Sequence, residues 1–360
     1  NMKKIRVAIA GGTGYTGGEL FRILLNHPNV EIVAATTTSS EGTPVASVHR
    51  DLIGETDLCF GKELNDPDVI FLCLGHGISR QFVDTHDIKP ECRIIDLGND
   101  FRLDGDYAGR NFVYGLCENA KEEVRKAHDV ANPGCFATAI QLATLPLAAA
   151  GLINDEVHVT AITGSTGAGK KPGETTHFSY RSDNISIYKL FTHQHLAEIK
   201  KNLVKAVCEK EPVVNFIPLR GDFARGIFAS VYTRAKEGMT QDDYRNLFEG
   251  YYADSPFVFH SNEGISMKEV VNRRYSRMLA ENPGDIPQLI VIDGGKGQLA
   301  FAYEALAELG LTERLTVIAL AERMEEVYRV GDPYPLFIDR NSPALKVLQQ
   351  IRDEAHRFGI

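Results

Sequence analysis

Cysteine is scarce in this chain, and its spacing excludes two common uses. The six cysteines (59, 73, 92, 117, 135 and 208) show no CxxC spacing and no disulfide-scaffold density. They read as reduced thiols of a cytoplasmic protein, and no metal site is expected among them. Long hydrophobic runs are missing too. The longest, residues 136–151, contains Gln141 and Pro146 and is too short to span a bilayer, so no membrane partner is expected. Positive charge is in deficit, with a net charge of -9, which argues against a nucleic-acid surface spread over the whole molecule. There are no repeats and no low-complexity linkers. The start, Asn1-Met2-Lys3-Lys4-Ile5, reads as one extra residue before a native Met, running into a strand without a signal-peptide apolar region. What is present is an ordinary globular composition, 43% hydrophobic over 360 residues, enough for two or three domains with sizeable cores.

The first forty residues carry a recognisable order. Residues 5–10 (IRVAIA) read as a buried strand, residues 11–18 (GGTGYTGG) as a glycine turn, and residues 19–26 as a helix with Leu20, Ile23 and Leu24 on its apolar side. Glycines at 11, 14 and 17 permit a tight turn and let backbone N–H groups approach a pyrophosphate at the helix start. The spacing is GxxGxxG rather than GxGxxG. The next strand, residues 31–37, runs into Thr38, Ser39 and Ser40, where an NAD enzyme usually places a carboxylate for the ribose hydroxyls. Hydroxyls in place of that acid favour NADP. Further buried strands at 69–74 and 93–97 alternate with helical stretches, the pattern of a parallel doubly wound sheet. Gly75 then falls at a strand's carboxyl end, where ligands bind.

Cys135 is the most informative single residue. It lies in ANPGCFAT (131–138), at the mouth of the long apolar helical run. A helix N-terminus favours the thiolate, which is the nucleophilic form. Asn132 is expected to cap the helix and Pro133 to occupy its first turn. A thiol beside a nicotinamide points to acyl reduction. His193 and His195, two apart, are the acid/base candidates.

With these pieces in place, residues 1 to about 271 resemble the N-acetyl-gamma-glutamyl-phosphate reductase family, relatives of aspartate-semialdehyde dehydrogenase. The resemblance rests on GGTGYTGGEL (11–20), IDLGNDFRL (95–103), FVYGL (112–116), ANPGCFAT (131–138), TGSTGAGKKP (163–172), HQHLAEI (193–199) and RGI (225–227). It implies NADPH-dependent reduction of an acyl phosphate to a semialdehyde with release of phosphate, through a thioester on Cys135. It implies a Rossmann-type doubly wound α/β sheet (1–134) and an α+β catalytic and dimerisation domain (135–271) with an antiparallel sheet containing residues 157–163 and 227–234. A homo-oligomer follows from the same resemblance. Cofactor contacts are expected from Gly11, Thr13, Gly14, Tyr15, Thr16, Gly17, Thr38, Ser39, Ser40, Gly75, Ser165 and Gly167. Substrate contacts are expected from Arg102, Asn132, Lys170 and Arg181. Either histidine suits the acid/base role, and the N-acyl group can be acetyl or a larger relative.

From about residue 265 to 360 a second resemblance begins, to the endonuclease domain of excinuclease C, an RNase H-like nuclease. Its segments are SMKEVVNRRYSRML (266–279), PQLIVIDGGKGQL (287–299) and SPALKVLQQIRDEAHRFGI (342–360). Asp293 and His356 match two of that family's active-site positions, but its first-strand aspartate has no counterpart here. Residues 273–360 hold 11 Lys and Arg against 13 Asp and Glu, a balance that discourages phosphate-backbone binding. The chain therefore reads as a chimera with a foreign segment at 272–360. Competing with the reductase are a DNA-binding or metal-dependent nuclease function of that segment and an inactive hybrid.

Overall fold

In strand β1 (Ile5–Ala10) alternate residues go to opposite cores. Val7 and Ile9 pack with Phe21 and Phe60, whereas Ala8 and Ala10 pack with Ile70, Leu72 and Phe82. A strand buried on both faces belongs inside a parallel sheet. In the computed structural model, which describes residues 3–37, 40–153, 156–171, 173–206, 211–223, 225–261, 289–293, 296–308, 310–312, 315–321, 326–339 and 342–349, that is its place.

The other strands of this sheet are β2 (Val30–Thr36), β3 (Val69–Leu72), β4 (Arg93–Asp96), β5 (Asp106–Tyr107), β6 (Arg110–Tyr114) and β7 (Asp129–Ala131). Their order is β2-β1-β3-β4-β7-β6-β5, parallel throughout except for the β5–β6 edge pair. Helices α1 (Tyr15–Leu25), α2 (Val45–Val48), α3 (Ser79–Thr85) and α4 (Cys117–Lys126) lie between the strands in sequence. Strand order reverses around β1, so the crevice outside the carboxyl ends of β1 and β3 is where a doubly wound sheet takes its ligand. Helix α1 starts at Tyr15, four residues ahead of the expected position, because Gly17 and Gly18 are buried inside the helix and not in the turn.

The chain leaves β7 into α5 (Cys135–Ala149), whose Phe136, Ala137, Ile140, Leu145 and Ala148 are buried. They pack on a second sheet of β8 (Val157–Thr163), β9 (Ser186–Ile187), β10 (Val214–Arg220) and β11 (Ile227–Tyr232), in the order β11-β8-β10-β9. This sheet is mixed and not antiparallel as expected, because β8 and β10 run parallel. Between those two strands the chain passes through α6 (Phe178–Arg181) and α7 (His195–Lys205). Ile199 and Leu203 of α7 join the core on this sheet, giving the crossover that a parallel pair requires. Helix α8 (Gln241–Tyr251) follows, opened by a capping box between Thr240 and Asp243. Pro146 inside α5 has no N–H for the Leu142 carbonyl. The Tyr252 hydroxyl donates to that carbonyl instead, at 2.7 Å.

The chain divides into two compact units, Asn1–Pro256 and Phe257–Ile360. The second contains β12 (Leu289–Asp293), α9 (Lys296–Glu308), β13 (Thr316–Ala321) and β14 (Glu326–Arg329). Its β12 is parallel to β13, which is antiparallel to β14. Ile290, Leu299, Leu306, Leu311, Leu315 and Val317 form its core. The side chain of Asp293, and His356 altogether, lie outside the described residues.

Candidate active site

The glycine turn after β1 is shaped by close approach. Gly11 has φ +80°, and a Cβ there would lie 2.5 Å from the Cys73 carbonyl oxygen. One at Gly17 would lie 2.7 Å from the Gly12 Cα, so only glycine lets the first turn of α1 sit on the loop. Gly14 is the N-cap and offers no side-chain cap, which leaves the N–H groups of the first turn, from Tyr15 and Thr16 onward, for an incoming acceptor. Strand, turn and helix thus fit the pyrophosphate of a dinucleotide. His49, buried below, bonds through Nε2 to the Gly12 carbonyl at 2.8 Å. Two contacts reach this turn from the loops of the second sheet. Lys170 Nζ lies 3.5 Å from the Thr13 carbonyl oxygen, and Arg225 pairs with Glu19 of α1 at 2.7 Å. Ser165 and Gly167 form the short 3-10 turn after β8, and Gly75 follows β3. Ser40 is described, whereas Thr38 and Ser39 lie outside the described residues.

Cys135 is the first residue of α5, three strands along the same sheet edge from the turn. That is roughly 14 Å at one strand spacing per step. Its N-cap is Gly134, in extended backbone, with no side-chain cap. The expectation of an Asn132 cap fails, since Asn132 Nδ2 donates instead to the Pro133 carbonyl and Pro133 precedes the helix.

His195 is the first residue of α7, so the thiol and this imidazole each begin one of two helices that share a core. Both His193 and His195 are buried, 4.6 Å apart between ring centroids. The His195 N–H donates to His193 Nδ1 at 3.2 Å. Phe136, next to the cysteine, meets both rings edge-on. His195 is the one against the cysteine loop, because a Cβ on Gly134 would fall 2.4 Å from its Nε2.

A carboxylate not singled out in the sequence organises the rest. Glu198, one turn along α7 from His195, is 3% exposed. Its Oε2 accepts from the Gly134 N–H at 3.1 Å and from the Tyr114 hydroxyl at 2.8 Å. Its Oε1 accepts from Arg102 Nη1 at 3.2 Å and lies 3.7 Å from His195 Nε2. Gln141 of α5 donates in turn to the Tyr114 hydroxyl. Arg102 is buried, and its Nε and Nη2 serve the Asn132 and Leu97 carbonyls. Buried ion pairs hold only when such additional bonds satisfy both partners. The one sequence signal for Glu198 was its i, i+3 spacing from His195 in HQHLAEI.

Proton affinities correct one expectation. Cys135 presents surface to solvent, but the surrounding protein raises its thiol above the ordinary value. Hydrogen bonds from the N–H groups of Phe136 and Cys135 and the charge of Arg102 oppose that effect, while Glu198 adds to it. Desolvation outweighs the helix terminus, so the thiol needs a base. Burial, and then the charge of His193, pushes His195 down to about 3, and burial pushes His193 down to about 4. Both imidazoles are neutral near pH 7. The His195 Nδ1 is buried without a partner.

Two family models match in series. Residues 6–127 match the semialdehyde dehydrogenase NAD binding domain, and residues 135–293 the semialdehyde dehydrogenase dimerisation domain. An N-acetyl-gamma-glutamyl-phosphate reductase of Azobacteroides pseudotrichonymphae is 46% identical over 318 residues, which cover 86% of this chain and 96% of the relative. The chain belongs to the N-acetyl-gamma-glutamyl-phosphate reductase family. The Flavobacterium johnsoniae reductase is 49% identical over 270 residues, 74% of this chain and 82% of that protein. Aspartate semialdehyde dehydrogenase II of Vibrio cholerae has the same fold, with TM-score 0.55 and 17% identity over 73% of this chain and 84% of that one. The two matched domains carry the glycine turn, within residues 6–127, and Cys135, the first residue of the second match. The match to the second domain model continues to residue 293, past the expected boundary at 271 and into the second compact unit.

Proposed function

We propose that the protein reduces N-acetyl-gamma-glutamyl phosphate to N-acetylglutamate semialdehyde with NADPH, releasing phosphate. The observation that carries this is the placement of His195 and Glu198 directly against Gly134, beside the Cys135 thiol at the ligand-binding edge of a dinucleotide sheet. His195, packed against Gly134 at the start of the helix that Cys135 heads, is placed to take the proton of that thiol. The Cys135 sulfur then attacks the acyl carbon, the bond to phosphate breaks, and a thioester remains. Bound NADPH supplies the hydride, and the glycine turn of residues 11–17 with Ser165 and Gly167 would hold it. His195 returns its proton where oxygen becomes basic and removes it again as the sulfur departs. Glu198 fixes the cysteine loop through the Gly134 N–H and faces the imidazolium that forms. Arg102 counters the Glu198 charge, and Lys170 lies at the glycine turn within reach of the cofactor side.

The test runs the reaction backwards. N-acetylglutamate semialdehyde, inorganic phosphate and NADP should yield NADPH absorbance, and Cys135→Ser should lower the rate roughly 10⁴-fold or more, the scale of losing a nucleophile. Wild-type protein giving no NADPH would sink the proposal.

A homo-oligomer in the cytoplasm completes this reading. Phe228 and Tyr232 of β11 are 62% and 61% exposed, while Ile227, Ala229 and Val231 face the core. An apolar sheet face of this kind suits a second copy of the chain. Among the described residues no helix is long and apolar enough to cross a membrane. The segment from about 265 onward is read as a fragment resembling the excinuclease C endonuclease domain. This rests on the sequence likeness of residues 266–279, 287–299 and 342–360, in a segment that has a core of its own. The Azobacteroides alignment of 318 residues weighs against it. A nuclease function is not favoured.

A further inference from the structure

Arg220 has no part in the mechanism above, yet it stands in line with it. It ends β10 opposite Ser186 of β9. Its Cζ lies 4.5 Å from the centroid of the Tyr188 ring, and that ring meets His193 edge-on at 5.7 Å. His193 is in turn 4.6 Å from His195. A continuous row of side chains therefore runs from Arg220 to the imidazole against Gly134. The Arg220 Nε is buried and has no acceptor, and among the described residues no carboxylate ion-pairs with this guanidinium. A desolvated donor without an acceptor is unfavourable unless something outside the chain completes it.

Arg181 holds Arg220 in place. Its Nη1 donates to the Arg220 carbonyl at 2.6 Å and its Nη2 to Ser186 Oγ at 2.8 Å, tying the end of β10 to β9. Arg181 is 4% exposed, whereas Arg220 is half-buried. Of the two, Arg220 is the cation a ligand can reach, and Arg181 acts through it.

We propose that Arg220, stacked on Tyr188, receives the α-carboxylate of the acyl-phosphate substrate, an assignment that rests on the function proposed above. The leaving phosphate is bonded to the carbon that the sulfur attacks, so it must lie against Cys135. The α-carboxylate is separated from that carbon by three others and lies a side chain's width away. The two cations divide in the same way. Arg102 acts on the Cys135 thiol itself, whereas Arg220 acts on Tyr188 and His193, one layer further out. A planar guanidinium also suits a carboxylate, which it can grip through two parallel bonds.

The reverse reaction separates the two anions, because N-acetylglutamate semialdehyde carries the carboxylate and inorganic phosphate is added independently. In Arg220→Gln the KM for the semialdehyde should rise roughly ten- to hundred-fold, while the KM values for phosphate and NADP stay near wild type. Arg220→Lys should show a smaller rise, and it carries the test if the glutamine variant fails to fold. A rise confined to phosphate would overturn the assignment, as would a fall in kcat with the semialdehyde KM unchanged. Inactive wild-type protein would instead end the function on which the assignment rests. Active wild type with an unchanged semialdehyde KM in both variants would end the Arg220 assignment alone.

Discussion

Helices α1 and α5 begin alike and are used differently. Each follows a parallel strand, each starts behind a glycine in extended backbone, and neither has a side-chain cap. Around Gly14 there is room, since a Cβ would meet only the Gly11 carbonyl oxygen at 3.6 Å. At Gly134 it would lie 2.4 Å from His195 Nε2 and 2.6 Å from Glu198 Oε1. The open start keeps its N–H groups for an external anion. The covered start has given the Gly134 N–H to Glu198 and is followed directly by Cys135. A glycine at a helix start thus marks where the backbone must be approached closely, and the neighbouring helix decides by what.

Acid should produce the largest difference between these two starts. His193 and His195, beside α5, are held below the free value of 6.5, at about 4 and about 3. The unfolded chain therefore takes up protons first as pH falls. Their contribution is whole above about pH 6.5 and is lost as pH drops through 6.5 towards 4 and 3. Together it is on the order of several kcal/mol. Melting temperature should fall over that window, and replacing both histidines by Gln should flatten the fall. His49, under the α1 turn, is also lowered by burial, but His49→Gln should flatten it less. Equal flattening would erase the contrast.

Charge removal sharpens the same comparison at a smaller scale. Glu198→Gln leaves the buried Arg102 without its anion and should cost about 3 kcal/mol in denaturant unfolding. Glu19→Gln on α1 loses ion pairs to Arg22 and Arg225 that are open to solvent, and should cost under about 1 kcal/mol. Comparable losses would mean that the two networks are equally exposed to water.

The smallest effect comes from a single methyl group. Gly134→Ala must displace His195 or Glu198 and should cost about 1–3 kcal/mol of stability. Gly14→Ala should stay within about 0.5 kcal/mol and change cofactor affinity more than fold. A Gly14→Ala variant as unstable as Gly134→Ala would show that the α1 start is not open.

Local patterns explain what was legible beforehand. The β1, glycine turn and α1 series, β8 at 157–163 and β12 at 289–293 all show in the apolar runs and their breaks. The parallel pairing of β8 with β10 did not, because it depends on α7 crossing one face of the sheet between strands some fifty residues apart in sequence. Cys135 and the histidine pair stood out by residue type. Glu198 did not, since a carboxylate on a helix reads as a solvated face until Tyr114, Gly134 and Arg102 are seen around it. Arg102 and Arg181 were picked out for their charge, while their hydrogen bonds to backbone carbonyls are visible only in three dimensions. The raised Cys135 thiol is a further non-local result, set by the packing of protein around the helix start.

The Tyr252 phenol bound to the Leu142 carbonyl has a consequence for dissecting the chain. It closes, from just beyond α8, the one gap that Pro146 opens in the helix headed by Cys135. A protein shortened to end at Pro256 would keep this latch, and one trimmed short of position 252 would leave a bare oxygen in the middle of the helix that begins with Cys135. The smallest piece worth expressing for catalysis therefore extends through that tyrosine.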